Sequence, residues 1–334
     1  MSLKEVYSPK HGRNVKFGRT RPAASGPNLK LSRYLLAATL PTPPASVDYT
    51  GPSLSALRNI DDNDTLGDCV IACGAHLVAT ETGNAGALYS ATSAQIIKQY
   101  SDVGGYIPGV PSSDQGCNIS TALTYWQKTG LVDGTKIAGS IVIDATNAQE
   151  LKTAMWLFEN LVFGIELPDS WINPFPSADG FVWDAAAPDE SNGHCVLGVG
   201  YTSKGISIDS WGLFGTLTYA AIAKLCVQSA NGEVHAVLST DQLLKASQKA
   251  PNDYAWADLI RDFNALGGSV PVPPTPAPVP APAPTPSPAP SVSVSLAQVE
   301  AWLAAGINSG MPLQTRSQAI ALANAQISKN WPKS

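Results

Sequence analysis

No apolar run in this chain approaches the 18 residues that a bilayer-spanning helix needs. The best stretch near the start, Tyr34 to Leu40, is far too short, so a membrane span is not expected. A secretory leader is not expected either, because no 7–15-residue apolar segment with a small-residue cleavage site follows the first basic residues. The expected location is therefore cytoplasmic, with release by lysis or a non-standard route. No C-x-x-C pair occurs among the five cysteines, Cys69, Cys73, Cys117, Cys195 and Cys226. An odd number spread over 334 residues argues against a disulfide framework and for reduced thiols. Nor does any Cys/His spacing of zinc-ligand type recur as a second pair, so a metal site is not expected. Histidine is scarce, with four in all, and only 14% of residues are charged.

What is present is enough apolar material for a core: 44% of residues are hydrophobic. The net charge of −5 hides an asymmetry, because residues 1–33 carry eight cations against Glu5 alone, +7, and the rest of the chain carries −12. Residues 1–34 therefore read as a basic extended arm, solvated or docked on the chain's own acidic body. Nucleic acid is a less favoured partner for it. Residues 35–268 form the main domain. In residues 269–293 proline dominates: 11 of the 20 residues from Pro271 to Pro290 are proline and none is charged. Such a segment is an extended spacer of about 60 Å at about 3.1 Å per residue.

Residues 294–334 contain two similar units, in which Ser295-x-x-Gln298 and Thr315-x-x-Gln318 each form a capping box. They predict helices near 296–306 and 316–329. This pair buries too little surface to be comfortable alone, so it is expected to attach to an assembly partner.

Within the main domain, helix signals come first and strand signals later, which predicts an α+β fold rather than a doubly wound sheet. Capping boxes stand at Thr92-x-x-Gln95 and Asn147-x-x-Glu150, and Ile119, Leu123 and Trp126 before Gly130 mark another helix. Strands are predicted at Leu161–Leu167, His194–Tyr201, Gly205–Trp211 and Val234–Leu238.

A Gly- and Asp-rich turn, Asn63-Asp-Thr-Leu-Gly-Asp-Cys69, leads into an Ala-rich apolar helix and places Cys69 in its first turn. There the helix field favours a thiolate, whereas Cys73, one turn deeper, reads as a small buried hydrophobe. A thiol nucleophile needs a base. His11 lies in the arm, and His76 falls about 10 Å along the helix from Cys69, too far to take its proton. His235 lacks a following carboxylate and reads as structural. His194 opens a strand, and a turn at Thr202–Gly205 leads to a second strand carrying Asp209, so both residues lie toward the open end of one hairpin. A carboxylate there can orient the imidazole.

This set, in this order, resembles the papain-like cysteine peptidases, and the similarity covers roughly residues 35–248. Asn63 stands six residues before Cys69, where the family has the amide of its oxyanion hole. His194-Cys195-Val196 resembles the His-Ala-Val strand, and Asp209-Ser210-Trp211-Gly212 resembles Asn-Ser-Trp-Gly, with Trp211 as the shield over the His-Asp bond. Gly116-Cys117-Asn118 matches a tripeptide beside the substrate cleft. The Asn-Asp-x-x-Gly-Asp-Cys run looks most like bacterial and phage-associated relatives. The resemblance implies a helical half carrying the cysteine, a sheet half carrying histidine and acid, and hydrolysis by a Cys69-His194-Asp209 triad.

There are departures. Asn63 is one methylene shorter than the customary glutamine, Cys117 lacks its usual cysteine partner, and Ile119 and Ser120 replace glycines of the cleft wall. Residues 1–34 are too short and too broken by proline and glycine for an inhibitory helical domain. Two functions remain in view. One is a thiol hydrolase acting on a protein or a cell-wall peptide, which needs neither a metal nor an organic cofactor; the other is a non-catalytic papain-like structural or attachment protein of a virion or surface assembly.

Overall fold

The computed structural model describes residues 3–22, 29–34, 42–250 and 254–267. The chain divides into two units, residues 1–274 and 275–334, and every described residue belongs to the first. The proline-rich spacer and the two C-terminal helices expected from the sequence lie outside the described residues.

The arm opens with a hairpin in which β1 (Glu5–Ser8) pairs antiparallel with β2 (Arg13–Lys16). Short β3 (Val47–Asp48) and the single turn α1 (Leu54–Leu57) precede the helices α2 (Cys69–Asn84), α3 (Ser93–Gly104) and α4 (Ile119–Lys128). Next come β4 (Ile137–Val142), α5 (Ala148–Phe158), β5 (Leu161–Glu166), α6 (Asp169–Ile172) and β6 (Phe181–Trp183). The last elements are β7 (Gly193–Tyr201), β8 (Gly205–Ser210), β9 (Leu213–Thr218), α7 (Tyr219–Leu225), β10 (Glu233–Ser239), α8 (Thr240–Lys249) and α9 (Trp256–Ala265). The architecture is α+β, with helices grouped before one large sheet.

Local chemistry sets the helix starts. Thr92 donates its backbone N–H to Gln95 Oε1 at 2.9 Å, completing the capping box of α3. Before α5 only half of the expected box forms. Asn147 Oδ1 accepts from Gln149 and Glu150 N–H at 3.1 Å, but the Glu150 carboxylate turns to the Asp144 N–H instead.

The sheet has eight strands in the order β4-β10-β5-β7-β8-β9-β6, with β3 added on β7. All pairings are antiparallel except β6 with β9. Alternation along the central strands splits the core in two. Leu161, Phe163 and Ile165 face one cluster with α5, α8 and α9, while Val162, Cys195, Leu197 and Val199 face the other with α2 and α4. Because α2 lies between the sheet and the other helices, 13 of its 16 residues are buried, and it shows no polar face over most of its length. That position holds its first residue, Cys69, against β7.

Candidate active site

Cys69 is the first residue of α2, as the turn before it predicts, but its side chain is sealed at 2% exposure. It lines a cavity of about 20 Å³ shared with Asn63, His76, His194, Asp209, Ser210 and Trp211. The space is that of a single water, too small for any substrate. Burial pushes the Cys69 thiol pKa up, so the thiol is protonated here despite its place at the helix start.

His194 lies on β7 with its ring stacked on the Trp211 indole, centroids 3.6 Å apart and planes 10° from parallel. Nε2 is 3.0 Å from Ser210 Oγ, and Nδ1 has no hydrogen-bond partner. Burial alone pushes the pKa down to about 3, so the ring is neutral. Trp211 thus covers His194 as expected, but not a bond from His194 to Asp209.

Asp209 instead forms an ion pair with His76, Oδ2 to Nδ1 at 2.7 Å, and His76 Nε2 lies 3.1 Å from Asp61 Oδ2. The cause is register. Asp209 pairs with Leu197, three residues beyond His194, and an odd separation along a strand puts the two side chains on opposite faces. Asp209 shares the face of Cys195 and Leu197, which packs against α2, where His76 waits. Burial opposes charge on His76, but the carboxylates of Asp209 and Asp61 outweigh it and hold its pKa up at about 10. Sequence distance from Cys69 set His76 aside, yet it lines the same cavity and holds the acid expected for His194.

Asn63 is buried, but its Nδ2 donates to the Leu66 carbonyl at 3.0 Å. Its amide is therefore engaged within its own turn rather than offered as an oxyanion donor. His235 has a carboxylate partner after all, Glu233 on its own strand, with Nε2 to Oε2 at 2.9 Å.

The feature least visible in the sequence is the path of the arm. Beyond β2, residues 16–20 cross the site as an extended chain. Gly18 and Arg19 donate their backbone N–H groups to the Gly193 carbonyl at 3.1 Å on one side. On the other, Cys117 N–H donates to the Gly18 carbonyl at 2.8 Å, and Thr20 N–H donates to the Cys117 carbonyl at 3.0 Å. Asn118 caps α4 through Ser120 N–H and donates its amide to the Arg21 carbonyl. The Gly116-Cys117-Asn118 tripeptide thus meets peptide backbone, and that peptide is the chain's own. Phe17 sets its edge against the His194 and Trp211 rings, at 6.0 and 5.6 Å.

The arm's cations dock on the acidic body: Arg13 on Asp64 at 2.6 Å, Lys16 on Asp114 at 3.1 Å, Arg19 on Glu233 at 2.7 Å and Arg21 on Glu166 at 3.2 Å. This is the self-docking alternative of the sequence reading. Among the described residues, a short extended stretch of the arm occupies this place.

No protein-family model matches the chain, and no curated protein sequence matches it. Among solved structures, it is similar to xylellain, a cysteine protease from Xylella fastidiosa, with a TM-score of 0.49 and 15% identity, covering 72% of this chain and 99% of that one. It is also similar to digestive procathepsin L2 of Tenebrio molitor, with a TM-score of 0.46 and 16% identity, covering 66% and 78%. A third is the Carica candamarcensis cysteine protease CMS1MS2, with a TM-score of 0.43 and 17% identity, covering 59% and 99%.

Proposed function

We propose that the chain is a papain-like thiol hydrolase of peptide or amide bonds, held closed by its own N-terminal arm. The observation that carries this reading is the meeting of Cys69, at the start of α2, and His194, on β7, at one cavity, beside an extended peptide that bonds Gly193 and Cys117 and sets Phe17 against the His194 ring. With the arm displaced, solvent reaches the pair and the burial that holds both groups neutral is relieved. Cys69 sulfur then attacks a carbonyl carbon while its proton passes to His194. Nδ1, the nitrogen with no partner, is free to take it. The C–N bond breaks as the ring returns the proton to the leaving nitrogen, and a water deprotonated by the same ring cleaves the thioester and restores the thiol. Ser210 orients the ring at Nε2 in the place first assigned to Asp209. Asn63 serves as oxyanion donor once its amide leaves Leu66.

A second reading has its own support. Asp209 is committed to His76 and the Asn63 amide to Leu66, as in a papain-like scaffold that no longer catalyses. A bacterial or phage origin, a virion location and attachment through residues 294–334 rest on the sequence alone and fit either reading.

Alkylation with iodoacetamide from pH 5 to 9, mapped by mass spectrometry, separates the two readings. The parent chain labels slowly at all five cysteines. In Gly18→Ala, where the new Cβ would stand 1.8 Å from the Gly67 carbonyl oxygen and eject the arm, Cys69 is expected to label about tenfold faster than the others below pH 8. That gain is lost in Gly18→Ala with His194→Ala. Equal, slow labelling of every cysteine in a folded Gly18→Ala protein leaves the scaffold.

A further inference from the structure

The cleft makes two demands on whatever lies in it, and neither is a demand for catalysis. The first is for glycine. A Cβ on Gly18 would lie 1.8 Å from the Gly67 carbonyl oxygen, and the walls approach just as closely from their side. A Cβ on Gly116 would lie 1.8 Å from the Gly18 carbonyl oxygen, and one on Gly193 would lie 2.1 Å from the Arg19 carbonyl oxygen. These are contacts with backbone, which cannot swing aside as a side-chain tip can, so no residue with a Cβ passes between the walls at this point.

The second demand is for arginine. The Arg19 side chain has no exposed surface, and its Nη2 donates to Glu233 Oε1 and to the Asn231 carbonyl, each at 2.7 Å. The guanidinium lies over Gly164, where a Cβ would come within 2.5 Å of Nε. Burial works against a charge on Glu233, but His235 and Arg19 together hold its carboxyl below the ordinary range. A buried acid beside the Asn231 carbonyl selects a cation, and a guanidinium, more weakly hydrated than an ammonium, enters such a buried seat at less cost. The seat is also imperfect, because Arg19 Nε and Nη1 have no hydrogen-bond partner. Unpaired buried donors weaken the arm's hold and let a competitor displace it.

We infer that this cleft reads the pair glycine-arginine in an extended peptide, that Gly18-Arg19 is its resident ligand, and that Glu233 is the residue selecting arginine in peptides taken in trans. The inference rests on the hydrolase reading only for the claim that such a peptide is a substrate. The bonds to Gly193 and Cys117 use main-chain atoms and accept any sequence, so selectivity falls to the glycine gap and the Glu233 seat.

Binding of a fluorescein-labelled peptide with the sequence of residues 14–21, followed by anisotropy, tests this without turnover. Every full-length protein used carries Cys69→Ala, so loss of binding and loss of hydrolysis are read separately. Arg19→Ala and Gly18→Ala, which loosen the arm, are expected to bind the peptide about tenfold more tightly than the chain with its arm intact. Alanine for the peptide's glycine, glutamine for its first arginine, or Glu233→Gln in the Arg19→Ala protein should each cost about tenfold. Should either loosened variant fail to fold, the intact chain with excess peptide gives the answer by hydrogen exchange. Exchange at Gly18, Arg19 and Thr20 rises with the glycine-arginine peptide and stays unchanged with the substituted ones. Equal binding of all peptides, no binding by the folded variants, or unmoved exchange would overturn the inference.

Discussion

Asp209 Oδ2 lies 2.7 Å from His76 Nδ1, across the interface between β8 and α2, while the His194 ring has only Ser210 at its Nε2. A one-residue irregularity produces this. From the turn, Tyr201 pairs with Ile206 and Gly200 with Ser207. Continued without interruption, that ladder sets Asp209 opposite Gly198, on the face of His194. The register instead shifts between Gly198 and Gly200, Asp209 moves opposite Leu197, and its side chain passes to the helix side of the sheet.

Removing one member of this pair leaves a buried charge unmatched. His76→Ala is expected to lose about 3–5 kcal/mol of stability in urea unfolding, and Asp209→Asn less, because His76 keeps Asp61 as a partner at 3.1 Å. The pair also sets an alkaline limit. His76 has its folded pKa raised to about 10 from an ordinary 6.5, so its contribution is complete below pH 6.5 and is lost as pH rises through 10. The parent should lose stability over that interval more steeply than Asp209→Asn.

His194 sets an acid limit of the opposite sign. Its folded pKa is lowered to about 3, so between pH 6.5 and 3 the unfolded chain takes up a proton that the folded chain refuses. Stability from this group is complete above pH 6.5 and falls as pH drops toward 3. Urea midpoints measured from pH 7 to 4 should fall less steeply in His194→Gln than in the parent.

The arm is held by two kinds of interaction that salt separates. The Lys4, Arg13 and Arg21 side chains are 34%, 56% and 54% exposed, so their ion pairs are screened. Gly18, Arg19 and Thr20 are held by main-chain bonds and a buried guanidinium. Raising salt from 0.05 to about 1 M is expected to speed hydrogen exchange in β1 and β2. At Gly18–Thr20 it should change little; equal acceleration along the whole arm would contradict this division.

Trp211 is the shared wall of the site, stacked on His194 and 5.3 Å from the Phe175 ring. Trp211→Ala should cost about 3–5 kcal/mol in unfolding experiments, since the cavity it leaves is lined by rings that cannot collapse into it. In a Gly18→Ala background the same change is expected to slow Cys69 alkylation, because the imidazole loses the surface that fixes its plane.

Much of this was legible in the residues. The turn before Cys69 marks the start of α2, and the alternating runs around His194, Ser207 and Val234 mark β7, β8 and β10 to within a residue or two. The order of helices and strands predicts the α+β class, and the charge asymmetry leaves the basic arm either solvated or docked on the acidic body. What could not be read was which face each strand side chain takes, because one extra residue in β7 reverses the alternation and no local signal announces it. The meeting of Gly18 with Gly67, Gly116 and Gly193 was equally hidden: it joins four separate segments, and glycine by itself gives no pairing preference.

The sequence by itself determined the elements, their order and the chemical types at the cleft, because helix starts and apolar periodicity are short-range properties of the chain. Only the tertiary structure decided the partners: His76 for Asp209, Ser210 for His194, and the chain's own arm in the cleft. Those choices depend on register and on backbone approach between distant segments, which are settled by packing across the whole fold rather than by any neighbouring residue.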